Sequence, residues 1–491
     1  MRTERQRRHR HLWQISAVAA LSMLAACGSF PENPRLDRYD PDSGYRFDQL
    51  DANDNSDSLF VIVTFSGGGT RAAALSYGVL EALRDTVIHI DGRRVSLLDE
   101  VDVISSISGG SFTAAYFGLR GRRTFEEFPD KFLYRPIQSE LVSRALNPVN
   151  WFKLAGSSFG RSDLAAEFYD REVFDGGTYA DIIARNRRPF IILNATDMTT
   201  GTQFPFIQDQ FDLLCSDLAG MSLGRAAASS SAFPGLLTPL TFSNYAGGCD
   251  YRQPTWVGLA MSDHSSRIGV ERTFRAETRL SYTAGGVDRR DYIHLIDGGV
   301  ADNIGLRGPL TAIRSGDNPW SVLRMMNNEQ VDTLLVVVVN AATDPDTHRD
   351  RSPSVPGLVE TVTASAVVPL DNYSFDTLGL LKATVDEFNR DRYLIEGCTQ
   401  LAAEAGDQCA IEIEAPHGVD LYSAQVAFQY IESDTERHFF RNLPTNFELP
   451  RTTIDRLRAI GRQLLTEDRS FTEFLEAFDG CLPDNNGEEC E

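Results

Sequence analysis

Three short runs in this sequence carry residue types suited to attack on an ester. SISGG, Ser106 to Gly110, sets a serine among small residues. A serine on a sharp strand-to-helix turn exposes its Oγ, as in the nucleophile elbow G-x-S-x-G, and here Ser106 stands where that pattern has its first glycine. Ser108 is therefore the candidate nucleophile. Negative charge then develops on the carbonyl oxygen, and a preorganised N–H facing it contributes on the order of 3–4 kcal/mol. The run Gly67-Gly68-Gly69 can present such donors because no Cβ blocks close approach, and the N–H of Gly109 is a fourth candidate. A serine at its ordinary pKa also needs a base. Asp297, followed by Gly298 and Gly299, supplies a carboxylate in an open turn at the end of an apolar stretch.

The elements around these runs must bring them to one place. LFVIVTF, Leu59 to Phe65, is a continuous apolar run, as expected of a strand buried on both faces, and it stops at the triple glycine. GTRAAALSYGVLEALRD follows as a helix with Leu75, Val79, Leu80 and Leu83 on one face. VDVISSIS is a second strand that runs directly into the helix GGSFTAAYFGLR. RPFIILNATDMTTG, YIHLI and DTLLVVVVNAA supply further strands, the rhythm of an α/β domain with a mainly parallel sheet. The region from Ser352 to about Phe440, including SVPGLVETVTASAVV and YSAQVAFQYI, has a mostly helical pattern. TTIDRLRAIGRQLLTEDRSFTEFLEAF reads as one or two amphipathic helices.

Gly67 to Ala72 also satisfies G-x-G-x-x-A, the dinucleotide fingerprint, and Asp91 lies about twenty residues on, where a ribose-binding carboxylate belongs. That scheme leaves the SISGG junction without a role, so an oxyanion fits the glycines better than a pyrophosphate. His294 precedes Asp297 by three residues, and odd spacing in a strand puts the two side chains on opposite faces.

GGGTR, SISGG and DGG, in that order, resemble the patatin-like phospholipase family. ATDMTTG, Ala195 to Gly201, and AAASSSAFPGLLTP, Ala226 to Pro239, are similar to the family as well. The resemblance implies a three-layer α/β/α fold and a Ser–Asp dyad of Ser108 and Asp297 without histidine. It also implies an oxyanion loop at Gly67–Gly69 with Arg71 as its basic residue, and a lipid acyl ester as substrate. It covers about Leu59 to Leu306. Ser66 and Ser106 depart from the family pattern. Two alternatives stand beside it. One is an α/β-hydrolase esterase with a Ser–Asp–His triad completed by His348, His417 or His438. The other is a non-enzymatic lipoprotein that binds rather than cleaves.

The remaining sequence bounds the setting. The formal charge of −22 over 491 residues argues against a nucleic-acid partner. MRTERQRRHRH followed by LWQISAVAALSMLAAC is a basic region and a short apolar stretch, the pattern of a signal peptide over residues 1–26. Leu24-Ala25-Ala26-Cys27 resembles a bacterial lipobox. It implies an exported lipoprotein held in the membrane, the outer one given Gly28, through lipidated Cys27. The segment 27–58 is rich in Pro, Asp, Asn and Ser and is expected to be a flexible tether. A hydrolase domain is expected over 59–345 and a mainly helical extension packed on it over 346–491. Six further cysteines in an oxidising compartment suggest disulfides. Nearest-neighbour pairing gives Cys215–Cys249, Cys398–Cys409 and Cys481–Cys490. No run has metal-ligand spacing, and neither a metal nor a cofactor is expected. Oligomeric state is not encoded in any pattern found.

Overall fold

A computed structural model describes residues 30–482, apart from 53, 263–266, 345–349, 352, 356 and 406–416. The expected signal peptide, Cys27, His348, Cys409 and Cys490 lie outside the described residues. Ten strands lie among them: β1 Leu59–Phe65, β2 Val87–Ile90, β3 Arg93–Ser96, β4 Val101–Ile107, β5 Phe190–Asp197, β6 Gln203–Pro205, β7 Leu240–Ser243, β8 Tyr292–Asp297, β9 Thr333–Asn340 and β10 Asp420–Ala427. The helices include α1 Thr70–Asp85, α2 Ser108–Arg120, α3 Leu223–Ser230, α4 Leu358–Phe388, α5 Arg451–Glu467 and α6 Arg469–Ala477, of which α1 to α3 adjoin the site.

Eight strands make one sheet in the order β10-β9-β1-β4-β5-β8-β7, with β6 beside β5. Pairing is parallel from β10 through β5 and antiparallel at β5–β8, β8–β7 and β5–β6. All residues of β1, β4 and β5 are buried, because helices cover both faces of the sheet, so the runs carry no polar alternation. Register levels the strand ends. Phe65 pairs with Ser106 and with Val339, Ile107 with Asn194, and Ala195 with Asp297. The residues that follow β1 and β4, and the last residue of β8, therefore meet along one edge of the sheet. That is the usual place for a site in an open α/β sheet.

The last third belongs to the same body. β10 extends the sheet beside β9, so YSAQVAFQYI is a strand and a short turn rather than the expected helix. Its alternation, with Ala424 and Val426 buried, also fits a helical period over so short a stretch. The border expected at 345/346 consequently does not separate two units. α5 packs on α1 through two glycines: a Cβ at Gly78 would lie 2.2 Å from Arg458 O, and one at Gly461 would lie 2.7 Å from Leu75 O. Covered by α5 on its outer side, α1 is buried almost all round rather than along one face.

The segment expected to be a tether is packed as well. Tyr45 is fully buried and its hydroxyl accepts the Ile191 N–H at 2.7 Å; Arg46 pairs with Asp209 and Asp212 at 2.7 Å. Buried aromatic rings and paired charges outweigh the loop-like composition around them. The Cys215–Cys249 disulfide is present. Cys481 is disulfide-bonded, whereas Cys398, exposed on a helix, carries a free thiol, so the 398–409 pairing is not formed. No helix among the described residues is long and apolar enough to cross a membrane.

Candidate active site

Ser108 is the first residue of α2 and has φ 48, the left-handed region that a non-glycine residue adopts only when its surroundings hold it there. A buried network of hydroxyls does so. The Ser108 N–H donates to Ser230 Oγ at 2.8 Å, and that hydroxyl donates to Asn194 O at 2.6 Å. Ser111 Oγ lies 2.9 Å from Ser230 Oγ and 3.2 Å from Ser106 Oγ; Ser106 in turn donates to Ile192 O at 3.2 Å. Asn194 Nδ2 donates to Ser105 Oγ and to Ser106 O. Ser106, the departure from the elbow pattern, is thus a working member of the network. The glycines beside it are required by contact, since a Cβ at Gly109 would lie 2.1 Å from Gly69 O and one at Gly110 would lie 2.6 Å from Phe65 Cβ.

Asp297 ends β8 two strands away from β4, and its carboxylate and Ser108 lie on either side of Asn303, close enough for the Ser108 hydroxyl to act on the carboxyl's pKa. Gly299 N–H donates to Asp297 Oδ1 at 2.8 Å. The Asp297 backbone is held on both sides, its N–H by Ala232 O at 3.0 Å and its carbonyl by Thr196 Oγ1 at 2.9 Å. Burial pushes the Asp297 carboxyl up to about 6, against the lowering effect of the Gly299 N–H and the Ser108 hydroxyl.

The glycine loop turns at Gly68, φ 139, and Gly69, φ 61. The Gly67 N–H is committed to Asn303 O at 3.1 Å, which corrects its expected place among the oxyanion donors. Its lack of a Cβ is what matters, because one would meet Asn303 Oδ1 at 2.8 Å and Ser108 Cβ at 3.3 Å. No acceptor among the described residues takes the N–H of Gly68, Gly69 or Gly109. Gly109 lies in the first turn of α2, where N–H groups lack intrahelical partners and the helix end is positive. Ser66, the other departure, accepts the Ala341 N–H at 2.8 Å and donates to Gly67 O at 3.1 Å, tying the loop to the end of β9.

Arg71 is buried beneath the loop. It donates to Ala341 O at 2.9 Å, Leu443 O at 2.7 Å and Thr445 Oγ1 at 3.0 Å. Every partner is neutral, and burial lowers its pKa to about 10. Its visible work is to hold the loop after Leu443, whose Asn446 carbonyl takes the Thr70 N–H at 2.8 Å.

The other sequence candidates lie elsewhere. Asp91 and Gly92 form the turn of the β2–β3 hairpin, with φ 50 and 70, and Asp91 is a hairpin-turn residue rather than a ribose ligand. His294 points away from Asp297, with Nδ1 3.1 Å from Thr241 Oγ1. His417 Nε2 is 3.0 Å from Val331 O, and His438 Nδ1 is 3.1 Å from Asn442 Nδ2. Neither is hydrogen-bonded to Ser108 or Asp297. Sequence reasoning missed Ser230, Asn303 and Thr196. The serine run within AAASSSAFP was the one available signal, and it did not say which hydroxyl would be used.

A mainly parallel sheet between helical layers, with the SISGG turn and glycine loop at its carboxyl edge, defines a three-layer α/β/α architecture. The chain belongs to the patatin-like phospholipase family, whose model matches residues 63–310. No curated protein sequence matches the chain. Among solved structures it is similar to human GIVD cytosolic phospholipase A2, at 12% identity over 86% of this chain and 59% of that one, with a TM-score of 0.40. A shorter match to the same protein covers 45% of it, so the chain spans about half the length of that phospholipase. VipD from Legionella pneumophila is similar at 10% identity, over 90% of this chain and 71% of that one, with a TM-score of 0.29.

Proposed function

We propose that this chain is a lipid acyl hydrolase of phospholipase A or lysophospholipase type that works through a Ser108–Asp297 dyad. The observation that carries the reading is the strained Ser108 at the start of α2 brought together with the buried Asp297 carboxylate, beside the uncommitted N–H groups of Gly68, Gly69 and Gly109. Ser108 Oγ attacks the ester carbonyl while its proton passes to Asp297, and the oxyanion is met by those N–H groups. Collapse breaks the ester C–O bond, and the leaving alcohol takes the proton from Asp297. Water, deprotonated by Asp297, then attacks the acyl-enzyme, and the fatty acid leaves as Ser108 recovers its proton. A carboxyl raised to about 6 is a better base than an ordinary aspartate and is still mostly ionised at pH 7.

After loss of residues 1–26, lipidated Cys27 holds the protein at the outer membrane, where its substrate is present. The test is an alkyl fluorophosphonate serine probe combined with a panel of phospholipids and lysophospholipids. Wild type is expected to be labelled and to release fatty acid, and Ser108→Ala to do neither. Labelling or hydrolysis retained in Ser108→Ala overturns the reading.

A further inference from the structure

The chain is fixed to the body almost from its first described residue. The buried Asn33 amide donates to Ser216 Oγ at 2.9 Å and to Ser243 O at 3.1 Å, and its Oδ1 accepts the Ser243 N–H at 2.7 Å. Leu36 N–H donates to Cys215 O and Tyr39 N–H to Cys249 O, the two halves of the disulfide. Upstream of them the Phe30 ring stands edge-on to Tyr292, with centroids 5.9 Å apart. Cys27 is three positions before Phe30, so their Cα atoms can be no more than about 11 Å apart. A flexible coil of the length first expected, 27–58, would instead reach roughly 30 Å.

Phe30 marks a definite end of the molecule. Tyr292 opens β8, which runs antiparallel to β5, with Asp297 opposite Ala195 and Leu295 opposite Asp197, the last residue of β5. Tyr292 therefore projects beyond the carboxyl end of β5, about 17 Å along the strand from Asp297. Gly67–Gly69 and Ser108 follow the carboxyl ends of β1 and β4, so they lie toward the same end. Met198 follows β5 opposite His294, two residues along β8 from Tyr292, its N–H donating to His294 O at 2.9 Å. Both side chains are bare, Met198 56% and Tyr292 53% exposed.

We infer that the Phe30–Tyr292–Met198 end is a docking surface for a phospholipid leaflet. The inference rests on the proposed lipidation of Cys27. Acyl chains at that cysteine hold this end within about 11 Å of the bilayer, too short a leash for the body to turn over. The exposed methionine and tyrosine meet the interface, where an amphipathic ring and a flexible apolar side chain are well placed. The carboxyl edge of the sheet then faces the membrane that carries the anchor, and the ester bonds offered to Ser108 are those of that leaflet.

The test uses full-length protein made with its leader in a lipoprotein-processing bacterium and placed in phosphatidylcholine vesicles that contain a nitroxide-headgroup lipid. In a Cys398→Ser background, a fluorophore is attached at Met198→Cys or, as the remote site, at Asp91→Cys, whose hairpin precedes the amino end of β4. Mass spectrometry of the N-terminal peptide first reads acylation of Cys27; its absence overturns the anchoring and the orientation together. With acylated protein, quenching at position 198 is expected to exceed that at 91 several-fold. A flexible insert of about twenty residues between Gly28 and Phe30 should remove most of that difference. Equal quenching at both positions on acylated protein overturns the orientation alone. Fluorophosphonate labelling of Ser108, read in the same samples, reports separately on hydrolysis.

Discussion

At the end of β1 the chain is held by main-chain partners, Asn303 O on Gly67 and Asn446 O on Thr70, with Arg71 locking the second of these from below. At the end of β4 it is held by side-chain hydroxyls, those of Ser230, Ser111 and Ser106. Both junctions pass from a buried strand to a helix through small residues, yet they deliver different things. The first has to leave N–H groups unspent, so it uses glycine geometry and carbonyl clamps that occupy only Gly67 and Thr70. The second has to fix a side chain in a left-handed backbone, so it spends the Ser108 N–H on Ser230 and leaves the next one, on Gly109, available. In the proposed mechanism a donor loop and a nucleophile turn thus divide the polar groups between them with little overlap.

Substitutions can break this division at graded cost. Ser108→Ala is expected to lower kcat on the order of 10⁴-fold or more, with the thermal midpoint unchanged or raised, measured by fatty-acid release and calorimetry. Asp297→Asn should cost a similar order in kcat and erase the acid limb near pH 6 that is expected in wild-type kcat/KM as the carboxyl ionises. The same variant sharpens a stability argument. Because the folded-state pKa is raised, the wild type is favoured by this group only at low pH and loses that advantage as pH rises through about 6. Asp297→Asn should therefore be the more stable protein at pH 8, by on the order of 2 kcal/mol in urea unfolding, and lose that lead below pH 4.

At the donor loop, Gly69→Ala places a Cβ 2.2 Å from Asn446 O in a positive-φ position, and kcat should fall on the order of 10²-fold as donors are displaced. Ser230→Ala leaves the Ser108 N–H buried without an acceptor. It should lower kcat on the order of tenfold with KM nearly unchanged, in steady-state kinetics. Ser66→Ala is the mildest test, about 1 kcal/mol of stability from two lost hydrogen bonds, one from Ala341 after β9 and one to Gly67 O, and little change in kcat. A larger kinetic effect at Ser66 than at Ser230 would reverse the proposed assignment of roles.

Reading the sequence alone reached the strands, the two junctions and the residues at their tips, because those signals are local: an apolar run, a glycine cluster, a serine or aspartate beside it. Ser230, Asn303 and Asn446 were beyond reach for one common reason. Each touches the site only through strand register or a contact from far along the chain, and even the serine run around Ser230 does not single out the hydroxyl that is used. β10 was misread because eight residues of mixed polarity satisfy both periods, and its partner strand, β9, is what decides. Composition misled over residues 30–58, where aspartates and prolines dilute the anchoring residues Asn33, Tyr45 and Arg46. Gly67 shows the opposite failure. Its identity was noticed and its role misjudged, since whether an amide is free depends on Asn303 across the cleft.

The acceptor that Arg71 finds at Leu443 is 372 positions downstream. The chain must therefore be complete as far as Leu443 before the first junction can take its final shape. Chains that stop short of Leu443 carry Ser108 but lack the clamp that sets the glycine loop.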